Sequence, residues 1–104
     1  MKLVMYSVLD SAAQVYMRPF PMQSDGQALR TFTDLCNDPE HDFGRHPGDY
    51  TLMRCGQFDD AKGEFMPEIP EKIANGAEVI VKASVSRVDG SLATPDEAAE
   101  FNGQ

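Results

Sequence analysis

One stretch, SDGQALRTFTDLCND at residues 24–38, has the period of an α-helix, and the chain on both sides of it has the character of β-strands. This order constrains the fold more than anything else in the sequence. A single helix between two groups of strands must lay its apolar face on the sheet that those strands make. Ala28, Leu29, Phe32, Leu35 and Cys36 fall at i, i+1, i+4, i+7 and i+8, which is one helical face. Ser24 followed by Gln27 has the form of a capping box, and Asp25 in the first turn favours the helix dipole. Pro39 ends the run, because a residue before proline avoids the α region. The predicted helix covers 25–37.

The flanking strands follow from composition. KLVMYSVL at 2–9 is β-branched and aromatic, and DSAA after it is a turn in which Asp and Ser bond their own backbone. QVYMRPF at 14–20 predicts a second strand, with Pro19 and Pro21 marking an edge or a bulge. Residues 38–49 read as loop. YTLMRCGQF at 50–58 is the next strand, DDAKG turns the chain with Gly63 available for a positive φ, and EFMPEI returns it. EVIVKASVSRV predicts a last strand at 78–86. The expected fold class is α+β: a small antiparallel sheet of two β-hairpins plus a C-terminal strand, packed on one amphipathic helix in the order ββαβββ. Residues 1–86 would form this single domain, and the polar residues 87–104 a flexible tail. LDSAAQVYM at 9–17 and FDDAKGEFM at 58–66 align as apolar–Asp–turn–aromatic–Met. They are either two ordinary hairpins with Asp turns or a pseudo-repeat flanking the helix.

A chain of 104 residues can bury a core without staples, and six methionines make part of that core adaptable. The net charge of −8 counts against a protein that coats nucleic acid by charge alone. The charge is uneven, however. Residues 1–36 balance Lys2, Arg18 and Arg30 against Asp10, Asp25 and Asp34, so an anion-binding face is to be sought there. MKLVMYSVLD lacks the long apolar core of a signal peptide, and no run of about 20 apolar residues could span a membrane. The two cysteines read as free thiols in a reducing cytoplasm.

Cys36, His41, His46 and Cys55 stand close in sequence. Structural zinc sites present tight cysteine or histidine pairs that fix half the tetrahedron. The two histidines have an acceptable spacing, but neither cysteine has a near partner, so no metal and no cofactor are expected. Asp38, Asp42 and Asp49 do not form a calcium-loop pattern, and there is no Gly-rich phosphate cradle. No nucleophile–base pair is placed by the sequence, and the chain is not read as an enzyme.

Three pieces carry a family resemblance: PF-x-MQ at 19–23, FTDL-x-ND at 32–38, and DYTL with G-x-FDD at 49–60. With them, residues 1–68 resemble the small non-structural protein of gokushoviruses, which are single-stranded DNA phages of the Microviridae. The resemblance implies a DNA-binding factor without catalytic residues. It would act in the host bacterial cytoplasm, at the switch from duplex replication to single-strand synthesis and genome packaging. Its partners would be single-stranded or replicative-form viral DNA and viral replication or procapsid proteins, with no membrane.

Single-strand binders combine a basic groove with aromatics on which bases stack. Tyr6, Tyr16 and Phe20 interleave with Lys2, Arg18 and Arg30, and strand alternation would set Tyr16, Arg18 and Phe20 on one face. The nucleic-acid-binding candidates are therefore Lys2, Tyr16, Arg18, Phe20, Arg30 and, in the loop, Arg45. The competing reading makes the aromatics core, as Phe32 and Phe58 are expected to be. A second functional reading fits the charge better: an acidic module that binds a replication or procapsid protein and touches no DNA. A homodimer, seamed along an unpaired sheet edge, would merge two modest basic patches.

Overall fold

The computed structural model describes residues 1–81. Its strands are β1 (Lys2–Asp10), β2 (Val15–Tyr16), β3 (Phe20–Met22), β4 (Tyr50–Asp59) and β5 (Glu64–Asn75). The main helix α1 (Asp25–Cys36) follows β3, and the short α2 (Asp42–Arg45) lies in the segment read as loop. β1 is central. β4 pairs with it on one side and carries β5 outside; β2 and then β3 pair with it on the other, all antiparallel. The last predicted strand is not formed where it can be seen: Gly76–Glu78 make a 3-10 turn and Val79–Val81 no strand. Residues 82–86 and the predicted tail lie outside the described residues.

The helix forms where its local signals place it. Ser24 Oγ accepts from the Gln27 N–H at 3.2 Å. The Gln27 side chain reaches back to the Gln23 N–H at 3.0 Å, one residue earlier than a capping box requires. Ala28, Phe32 and Cys36 are the buried face of α1. They meet Tyr6 and Val8 of β1 and Leu52 of β4, with Phe43 of α2 closing one end of the core. The result is a mixed α/β domain with one main helix on one face of an antiparallel sheet.

Both hairpins close on the expected Asp turn. Asp10 Oδ1 accepts from the Ala12 and Ala13 N–H groups, both at 3.1 Å. Asp59 Oδ1 accepts from Ala61 at 3.0 Å and Lys62 at 3.3 Å. Four residues after each Asp the backbone enters the left-handed region, at Gln14 (φ 59°) and Gly63 (φ 69°). Only the second turn has the residue this conformation favours. Gln14→Gly is therefore expected to stabilise the domain by about 0.5–1 kcal/mol, a rise of a few degrees in thermal midpoint by circular dichroism.

The strand predicted at 14–20 is broken. Leu9 pairs with Tyr16 but Tyr6 pairs with Phe20, so three steps along β1 match four along its partner. The extra residue lies in the bend at Met17–Pro19, where the Ser7 hydroxyl donates to the Met17 carbonyl at 2.6 Å. A one-residue slip exchanges the faces of a strand. Phe20 thus lies on the helix side with Tyr6, whereas Tyr16 lies on the opposite side with Leu9, and the expected shared face of Tyr16, Arg18 and Phe20 does not form.

Among the described residues, that opposite side carries no helix. Leu3, Met5, Leu9, Met53 and Phe58 are half-buried on it, and Phe65 is 68% exposed. Phe58, expected in the core, packs instead on Phe65 at 4.7 Å between ring centroids. Both sheet edges contain prolines, Pro21 on one, after Pro19 in the bend, and Pro67 and Pro70 on the other. They leave only short runs of free donors for edge pairing with a second copy.

Candidate functional site

The slip at the β2–β3 bend builds a groove. Phe20, turned to the helix side, stacks on Tyr6 with ring centroids 6.0 Å apart. Val8, Ala28, Phe32, Leu35 and Phe43 complete a carbon-rich floor, and Met17, Arg18, Thr31 and His41 line the rest of a cavity of about 370 Å³. Arg18 is exposed and takes part in none of the salt bridges among the described residues. Two residues singled out from the sequence, Arg18 and Phe20, therefore meet at one apolar groove.

His41 joins them for a different reason. It is the N-cap of α2, and its Nδ1 accepts from the Phe43 N–H at 3.1 Å. The ring stands edge-on to Phe43, 4.5 Å between centroids. The sequence offered His41 only as a metal ligand. Its signal as a cap, two residues before an aromatic that becomes buried, is too short to separate from loop.

The other candidates are elsewhere. Tyr16 is on the open face. Arg30 is exposed on α1 and does not line the groove. Lys2 stands across from Asp59, five residues along β1 from Ser7 and so about 17 Å from the bend. Arg45 is engaged: it pairs with Asp42 and donates from Nη1 to the Glu40 carbonyl at 2.9 Å.

A polar cluster not signalled by the sequence lies on the helix side. Arg54 Nη1 meets Asp25 Oδ2 at 2.5 Å, and its other terminal nitrogen pairs with Glu71. The Tyr6 hydroxyl donates to Asp25 Oδ1 at 2.5 Å. Asp25, and after it Glu71, hold the guanidinium in its charged form. The four residues come from β1, α1, β4 and β5, so no spacing in the sequence could signal them. Burial, then the hydrogen bond to Asp25, pushes the Tyr6 phenol above its ordinary 10.0. Its neutral form is thus favoured in the fold. Stability from this group is complete below pH 10 and falls as pH rises, because there the unfolded chain has lost a proton that the folded chain keeps. In an alkaline titration, the Tyr6 phenolate absorbance is expected to appear only together with loss of near-ultraviolet dichroism.

Cys36 is buried in the core, while Cys55 lines a smaller hollow of about 150 Å³ with Met5, Phe65 and Pro67 on the open face. The sheet separates them. Burial pushes both thiols up, away from the reactive thiolate. Among the described residues no three His, Cys, Asp or Glu side chains gather as a metal site, and no helix is long and apolar enough to cross a membrane.

The sequence profile of a family described as Phage ORF5 protein matches residues 3–79, about three quarters of the chain. The chain belongs to this family. The match spans both hairpins, α1, α2 and the groove, and it establishes a bacteriophage origin. It ends within two residues of Val81, the last described residue. Neither curated proteins nor solved structures include a significant match to the chain.

Proposed function

We propose that this ORF5-family protein is a non-enzymatic, non-structural factor that binds single-stranded viral DNA in the groove beside Arg18 and Phe20. It would serve single-strand synthesis and genome packaging in the host cytoplasm, as the resemblance to the gokushovirus proteins implies. The observation that carries the reading is an arginine free of the described salt bridges at the mouth of an apolar, aromatic-lined groove. Duplex DNA hides the faces of its bases, so a groove of this kind suits an unstacked one, with replicative-form DNA bound only where it opens. Magnitudes favour stacking over charge. Arg18 at the groove can neutralise about one phosphate, which gives a salt slope of only about −0.7 for a single strand. A base stacked on an aromatic ring contributes about 1–3 kcal/mol. A protein of charge −8 can therefore bind single strands without a broad basic face.

The geometry separates the arginines. Arg18→Ala is expected to flatten the salt slope by about 0.7. Arg45→Ala, which removes a side chain already held by Asp42 and Glu40, should leave binding unchanged. Oligonucleotide binding at two salt concentrations checks both.

A second reading is favoured by the open sheet face and by the carboxylates that occupy Arg45, Arg54 and Lys72. In it the protein is an acidic module that seats a basic replication or procapsid protein, or a second copy, on Leu3, Met5, Met53 and Phe65. Amide shifts on adding a single-stranded oligonucleotide discriminate the two. Changes centred on Met17–Phe20, Thr31 and His41 support the groove. Changes absent there, with shifts on the open face when a viral protein partner is added, support the module.

A further inference from the structure

We propose that the groove receives one unstacked thymine, whose O4 accepts a hydrogen bond from His41 Nε2. This rests on the single-strand reading above and adds which base the groove prefers. Because His41 Nδ1 accepts from the Phe43 N–H, the neutral ring carries its proton on Nε2. The ring therefore offers the groove a donor and no acceptor. The Thr31 hydroxyl, which also lines the groove, can accept from thymine N3–H. The remaining wall is carbon, from Val8, Phe20 and Leu35 among others, and it suits the C5-methyl group. Cytosine would set its N4 amino donor against the His41 donor. Uracil has the keto edge but no methyl. Guanine has a keto oxygen but brings an N2 amino group against carbon. Arg18 at the mouth meets phosphate and is indifferent to the base.

The test is competition binding of the full chain to short homopolymers of dT, dU and dC at low salt. The prediction is dT over dU by about fourfold, the value of one buried methyl group. It is dT over dC by about tenfold or more, the cost of opposing two donors. His41→Ser preserves the cap of α2, since Ser caps as well as any residue, but does not reach the base. It should bring the dT-to-dC ratio down to about the dT-to-dU ratio, since the methyl group still distinguishes thymine, while Arg18→Ala weakens all three polymers alike and keeps both ratios. Equal binding of the three polymers by the wild-type chain, or a ratio unchanged in His41→Ser, would overturn the thymine proposal and leave single-strand binding standing. Absence of binding to every polymer would overturn both.

Discussion

Gly56→Val is expected to lower stability by roughly 2–6 kcal/mol, enough to abolish cooperative folding in a domain whose total is about 5–15 kcal/mol. Two costs add. Gly56 has φ 146°, a conformation closed to β-branched residues. A Cβ at this position would stand 2.4 Å from the Met66 carbonyl oxygen and 3.0 Å from Pro67 Cα, both backbone atoms that cannot rotate away. The requirement comes from a bulge. Met5 pairs with Gly56 but Tyr6 pairs with Arg54, so Cys55 has no partner on β1, and β5 shifts register across the same point. The bulge keeps Arg54 beside Tyr6 and Asp25 while Cys55 lines the hollow on the far side. Thermal denaturation of the variant should show a midpoint lowered by tens of degrees or no transition. A midpoint within a few degrees of wild type would mean that β4 does not bulge here.

Tyr6→Ala is expected to cost about 3–5 kcal/mol, and Tyr6→Phe about 1–3 kcal/mol. Tyr6 is 0% exposed and supports Phe20 from below, so the alanine leaves a cavity under the groove floor. The phenylalanine keeps the ring and removes only the hydroxyl, whose partner Asp25 retains Arg54. The difference between the two variants isolates the ring. Urea denaturation of both provides the comparison. If Tyr6→Phe cost as much as Tyr6→Ala, the hydroxyl and not the packing would be holding the sheet to α1.

What the sequence made legible was local. The bounds of α1 followed from Ser24, the apolar stripe and Pro39, because caps and periodicity act within one turn. Both hairpin turns followed from an Asp and the residues after it. What escaped depended on partners far along the chain. EFMPEI read as a strand that stops before Pro70, yet β5 runs from Glu64 to Asn75, because an edge strand tolerates prolines whose missing N–H would have faced solvent. α2 has four residues and no periodicity; burial of Phe43 and the His41 cap hold it. The slip at Met17–Pro19 was signalled by the prolines, but its consequence was not. One extra residue carries Phe20 to the helix side and leaves Tyr16 behind, which converts the expected flat face into a groove. Of the six nucleic-acid candidates, Arg18 and Phe20 line that groove, while Lys2, Tyr16, Arg30 and Arg45 do not.

Fluorescence anisotropy of a labelled oligo-dT, titrated with the full chain at low and at moderate salt, shows whether a single strand enters this groove. Saturable binding with a shallow salt slope near −0.7 is expected, weakened in Arg18→Ala and retained in Arg45→Ala. No binding at low salt would contradict it, and equal loss in both variants would take the contact away from the groove.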